Sequence, residues 1–206
     1  MDIQNPLLLV SGLALAAYMI GSINLSVIAS KRFGIHHLRQ NGSGNPGATN
    51  LLRVAGWRVA FPVLLLDLGK AFGAIWLAHL VALPQLAPML ALPLLLGNLY
   101  PVFHQFKGGK GVAATVGAFL AIDFKIMLLG GAVFFAVVGI SRRVSLGSIC
   151  MVASYTLWAW LFSAPVNTLV TAFTVAVVIV ITHRTNIARL KNGQEPKLGQ
   201  KAKERS

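Results

Sequence analysis

Apolar residues fill this chain in seven blocks, roughly 6–29, 57–80, 86–103, 111–122, 126–140, 145–164 and 167–182, separated by short polar connections. A helix needs about 20 predominantly apolar residues to cross the ~30 Å hydrocarbon core of a bilayer. Blocks near that size, recurring from one end to the other, predict membrane-spanning helices rather than one anchor. The blocks 111–122 and 126–140 are short for the core. They are expected to tilt, to re-enter or to be shielded by neighbours, which sets the span count between five and seven. The expected fold is all-α: a polytopic integral membrane bundle of about seven transmembrane helices within residues 1–190, then a basic, mobile, solvated tail over 191–206. Residues Met1 to Pro6 carry Asp2 and no Lys or Arg, unlike the basic start of a signal peptide, so the first block is expected to be an uncleaved span.

Composition narrows this further. Of 206 residues 56% are hydrophobic and only 11% charged, too few charges to cover a water-soluble globule. Eighteen Lys and Arg stand against five acids, and their placement alternates. Lys31, Arg32, Arg39, Arg53 and Arg58 follow the first block, Lys107 and Lys110 the third, Arg142 and Arg143 the fifth. Arg184, Arg189, Lys191, Lys197, Lys201, Lys203 and Arg205 follow the last, whereas the other connections hold only Lys125. Basic loops stay in the cytoplasm, so the N-terminus is expected outside and the C-terminus inside. The same excess suits anionic lipids or phosphorylated substrates. Nucleic acid is not expected, because the cations are scattered between apolar blocks. The lone Cys150 excludes a disulfide framework and a Cys-based metal site, and His36, His37, His79 and His104 lack metal-ligand spacing.

Four polar clusters fall on that one side. Gly42 to Asn50 reads GSGNPGATN; its glycines allow close backbone approach to a ligand, and Ser43, Asn45, Thr49 and Asn50 supply hydroxyls and amides beside Arg53. Lys107-Gly108-Gly109-Lys110-Gly111 is a glycine-rich turn opening an apolar helix, a geometry that aims free N–H groups and the helix dipole at an anion. The Walker A spacing is absent, so nucleotide hydrolysis is not indicated. Ser141 to Ser148 is basic and hydroxyl-bearing, with Arg142, Ser145 and Ser148. In HRTNIARL, on a helix continuing from the last span, His183 and Asn186 share a face, and His183 is a candidate proton acceptor or donor. Asp67 and Lys70, three apart in the second block, are expected to form an intramembrane ion pair. A rival reading is a small carrier for phosphorylated anions, since broken helices and basic pockets also suit transporters. Against it, the clusters lie at one face rather than at the midplane.

With these stretches in view, the chain resembles the acyl-phosphate-dependent glycerol-3-phosphate acyltransferases of bacteria, the PlsY type. The matching stretches are GSIN at Gly21–Asn24, GSGNPGATNLLRVAG at Gly42–Gly56, PVF and FKGGKGVA within Pro101–Ala113, SLGSI at Ser145–Ile149 and HRTNIARL at His183–Leu190. Two departures are Asn98, where the family often has His, and the displaced Thr115. The resemblance implies a seven-helix enzyme of the bacterial inner membrane with a cytoplasmic active site. It implies attack by the sn-1 hydroxyl of glycerol 3-phosphate on an acyl phosphate, giving lysophosphatidic acid and phosphate at the start of phospholipid synthesis. Carried over by position, Ser43, Arg53, Lys110, Ser148, His183 and Asn186 are expected to be catalytic. Asn45, Gly47, Thr49, Asn50, Lys107, Gly108, Gly109, Gly111, Ser145 and Arg142 are expected to bind substrate. Neither metal nor cofactor is expected, and the partners are the two substrates, the bilayer and, by functional link, the enzyme that makes acyl phosphate. In that scheme Lys110 and the Gly108–Gly111 backbone capture phosphate, Arg53 and Ser43 hold the second phosphoryl group or the acyl carbonyl, and His183 with Asn186 orients the attacking hydroxyl.

Overall fold

The computed structural model of the chain describes residues 6–35, 38–81 and 84–200, and all regular structure among them is helical. His36, His37, Lys201, Lys203 and Arg205 lie outside the described residues. The first apolar block is broken. Helix α1 (Pro6–Ser22) stops at Ile23, and Asn24 caps α2 (Leu25–Arg32) by accepting the Val27 N–H at 3.0 Å. Short α3 (Ala48–Ala55) precedes the long α4 (Trp57–Val81). A 3-10 segment, Pro84–Leu90, runs into α5 (Ala91–Leu99). Then come α6 (Val112–Ile122), α7 (Phe124–Ser141), α8 (Val144–Leu161), α9 (Val166–Thr182) and α10 (Arg184–Lys191). Asp123 separates α6 from α7 by accepting the Lys125 and Ile126 N–H groups at 2.9 and 3.1 Å.

Every apolar block of the sequence is helical, but not every one is long enough to cross the core by itself. Among the described residues five stretches are long and apolar enough, and α9 with α10, bent by 61°, makes a sixth. Helix α6 has 11 residues, about 16 Å at 1.5 Å per residue, or half of the core. Its neighbours shield it: Ala114, Ala118 and Phe119 have no exposed surface. The exterior carries the apolar surface instead, with Leu80 67% and Phe135 74% exposed, as lipid contact requires. This is an integral membrane protein.

Small residues bring the helices together, because lipid supplies no hydrophobic drive for helix association. Helix α1 packs on α5, α4 on α6, and α8 on both α7 and α9. A Cβ at Gly97 of α5 would collide with Tyr18 O of α1, and one at Gly21 with Leu94 O. Gly97→Ala is therefore expected to separate these helices and lower the midpoint of thermal unfolding in detergent by several degrees; an unchanged midpoint would show that α1 does not lean on α5. Asp67 and Lys70 do pair, at 2.8 Å. Lys70 also donates to Ile23 O, one of the carbonyls left over where α1 breaks.

Candidate active site

One cavity of about 370 Å³ opens where the α1–α2 break, α3, α4, the end of α5, α6, α7, α8 and the α9–α10 bend converge. Its first wall is the glycine loop. Gly42 and Gly44 hold φ of 64° and 73°, left-handed values that favour glycine. Asn50, 1% exposed, pins the loop: its Oδ1 accepts the Ser43 N–H at 2.8 Å while its Nδ2 donates to Leu38 O and Asn41 O. The expected substrate contact at Asn50 is thus largely occupied by the protein's own backbone. Ser43, Asn45, Gly47, Thr49 and Arg53 line the cavity.

The second wall is the start of α6. Gly109, Lys110 and Gly111 line the cavity, but the loop does not offer all its amides. Gly108 N–H donates to Leu99 O and Gly109 N–H to Asn98 O, at 3.0 and 3.1 Å, stitching the loop to the end of α5. A Cβ on Gly108 would strike Asn98 O. The expectation that the Gly108 and Gly109 backbone captures an anion is corrected accordingly. Val112 and Ala113 line the cavity instead, in the first turn of α6, where N–H groups have no preceding helical carbonyl to bond.

The last wall folds back from the chain end. Helix α9 does not continue straight: Thr182 Oγ1 and the His183 ring both bond Ile179 O, at 2.8 Å each, competition that bends a helix, and the axis turns by 61°. Because a carbonyl only accepts, His183 Nδ1 carries the proton, and in the neutral ring the lone pair lies on Nε2. His183 is 2% exposed and lines the cavity. Asn186 sits beside it and receives Lys110 Nζ on its Oδ1.

Glu195 ties this wall together. The expectation of a solvated tail fails there, since Glu195 is only 5% exposed. Its Oε1 accepts from Ser145 Oγ and Asn186 Nδ2, both at 2.6 Å, and its Oε2 from Arg189 Nε at 2.8 Å. Burial opposes its charge, but these hydrogen bonds and the Arg189 charge outweigh it and hold the carboxyl below its ordinary pKa. Burial, helped by the Arg189 and Arg53 charges, lowers Lys110 to about 8. Burial also lowers Arg53, with Glu195 opposing. Lys110, Arg53 and Arg189 gather around Glu195, and Asp67, the other acid on the cavity, is paired with Lys70, which leaves two positive charges for an anionic ligand.

The structure thus brings Ser43, Arg53, Lys110, Ser148, His183 and Asn186 around one cavity, with Ser145 turned toward Glu195. Three expected substrate contacts lie off it. Lys107 is exposed and its carbonyl accepts from Arg39; Gly108 faces α5; Arg142 caps α7 and accepts the Leu198 N–H at 2.6 Å. Asn24, Asp67, Asn98 and Glu195 line the cavity without having been singled out for it. Asn24 stood within the GSIN stretch, and Glu195 was detectable only as one of two acids in a basic tail.

The opposite end of the cavity is apolar, walled by Leu64, Leu68, Val116, Phe134 and Met151. A membrane-embedded cavity that joins clustered cations to an apolar groove belongs to an enzyme of lipid chemistry. The glycerol-3-phosphate acyltransferase family model matches residues 11–193, and the chain belongs to that family. A glycerol-3-phosphate acyltransferase of Methylobacillus flagellatus is 39% identical over 91% of this chain and 96% of its own. One from Pseudoalteromonas translucida is 40% identical over 90% and 91%. The crystal structure of PlsY, an integral membrane glycerol 3-phosphate acyltransferase, in its glycerol 3-phosphate form superposes with TM-score 0.88 at 35% identity, covering 92% of this chain and 96% of that one. Its lysophosphatidic acid form gives 0.86 at 34%. The protein is accordingly an acyltransferase of the PlsY type, acting in phospholipid synthesis.

Proposed function

We propose that this enzyme transfers a fatty acyl group from acyl phosphate to the sn-1 hydroxyl of glycerol 3-phosphate, at the cytoplasmic face of a bacterial inner membrane. One observation carries the reading: a single cavity holds Lys110, Arg53 and the start of α6 at one end and an apolar groove at the other, with exposed Phe135 on its rim. A phosphorylated alcohol arriving from water can meet there an activated acyl chain that stays in the bilayer. The cytoplasmic orientation rests on the basic connections near the cavity.

Acyl phosphate is already activated, so positioning and charge stabilisation are the main tasks. Lys110, Arg53 and the Val112 and Ala113 N–H groups hold phosphoryl oxygens, while Ser43 donates to the second phosphoryl group or the carbonyl. The neighbouring 2-hydroxyl of the glycerol donates to His183 Nε2, which orients the sn-1 oxygen toward the acyl carbon. A new C–O ester bond forms, the bond from acyl carbon to phosphate oxygen breaks, and phosphate leaves with the bonding pair. The departing phosphate, formed as a far stronger base than imidazole, takes the sn-1 hydroxyl proton, and His183 acts by orientation. Mixing purified protein with acyl phosphate and glycerol 3-phosphate should release phosphate and lysophosphatidic acid in equal amounts. Product formed from acyl-CoA but not from acyl phosphate would refute the donor assignment.

The charge on Lys110 gives a pH signature. Lysine binds phosphate only while protonated, so kcat/KM for glycerol 3-phosphate should fall as pH rises through about 8. A profile still rising at pH 9.5 would contradict this assignment.

A further inference from the structure

We infer that Gly131 sets the length of acyl chain the enzyme accepts, an inference that rests on the acyl-transfer reading above. Two adjacent glycines on α7 make the contrast. A Cβ at Gly130 would collide with the Tyr155 ring, so that glycine serves the packing of α7 on α8. A Cβ at Gly131 would meet no heavy atom within 4 Å, and Gly131 lines the cavity. Packing does not demand glycine there, and helix propensity disfavours it by about 1 kcal/mol relative to alanine. What its bare backbone provides is room in the groove.

The location along the groove fits a length limit. Helix α7 ends at Ser141, near the cationic wall, and Gly131 lies ten residues below, about 15 Å along the axis. Met127 is one turn further, about 21 Å from the same end, and also lines the cavity. Met127, Gly131 and Phe134 share one helical face through i, i+4 and i, i+3 spacing, opposite Leu64 and Leu68 of α4. An acyl chain whose carbonyl sits at the cationic end passes Phe134 first, then Gly131, then reaches Met127. A side chain at 131 narrows the groove between Phe134 and Met127 and leaves the part above Phe134 open.

The test is the ratio of kcat/KM for palmitoyl phosphate to that for decanoyl phosphate, measured for wild type, Gly131→Leu and Gly131→Ala. Gly139→Leu serves as control, since Gly139 is also exposed on α7 with nothing near its Cβ position but lies off the cavity. Gly131→Leu should lower the ratio about tenfold or more, in line with the discrimination a few methylenes give in an apolar pocket. Gly131→Ala should lower it less, KM for glycerol 3-phosphate should not move, and Gly139→Leu should match wild type. If the leucine variant fails to accumulate in membranes, the alanine variant carries the same comparison. An unchanged ratio in active Gly131 variants, or an equal loss with both donors, would overturn the inference while leaving the acyl-transfer reading intact. Failure of wild type to use either acyl phosphate would instead sink that reading.

Discussion

Lys110→Ala is expected to lower kcat/KM for glycerol 3-phosphate at least about 100-fold, the scale found when a preorganised charge-stabilising donor is removed. Lys110 is the cation at the head of the chain Lys110–Asn186–Glu195, so its ammonium is aimed before substrate arrives. Alanine leaves Asn186 Oδ1 without that donor but relieves the repulsion among Lys110, Arg53 and Arg189. The protein should therefore still fold and accumulate in membranes. Lys110→Arg keeps the charge but spreads it over a planar fork, so partial activity is expected, without the alkaline fall near pH 8. Steady-state kinetics on matched amounts of membrane protein check both variants. Near-normal turnover in Lys110→Ala would remove Lys110 from the mechanism.

Glu195→Ala is expected to harm fold and activity together. It strips the acceptor from Ser145, Asn186 and Arg189 at once and leaves three neighbouring cations without a counter-charge. Breaking a buried charged pair by removing one partner costs about 3–5 kcal/mol, so the thermal midpoint should drop and acyl transfer should vanish. Glu195→Gln retains hydrogen-bonding atoms and loses only charge, so it should fall between. The sign of the pH effect follows from the depressed carboxyl. The stabilisation from Glu195 is complete above its unfolded value of 4.5 and is lost as pH falls through the lower folded value. Thermal unfolding in detergent from pH 3 to pH 7 measures this. A midpoint equal to wild type in Glu195→Ala would show that the returning chain end contributes nothing.

The bundle was legible because its code is local: a run of apolar residues states its own helix, and all seven runs became helices. Breaks were less legible. The first run hides a stop at Ile23 whose only marks are the polar flanks Ser22 and Asn24, and the bend at His183 depends on two side chains sharing Ile179 O. The residues around the cavity were found by motif, but their partners were not. Gly108 and Gly109 look like an anion nest in sequence; only the approach of α5 shows that their N–H groups are engaged. Lys107 and Lys110 carry the same charge three residues apart, yet one is exposed and the other meets Asn186. Glu195 was missed because its contacts reach back 50 residues to Ser145, and a chain end rich in Lys reads as solvated.

A crystal structure of this protein with glycerol 3-phosphate bound tests the central claim most directly. Phosphate oxygens are expected within hydrogen-bonding distance of Lys110 Nζ and the Arg53 guanidinium, with a glycerol hydroxyl donating to His183 Nε2. A phosphate held instead beside Lys107 or Arg142, with His183 remote from every hydroxyl, would contradict it.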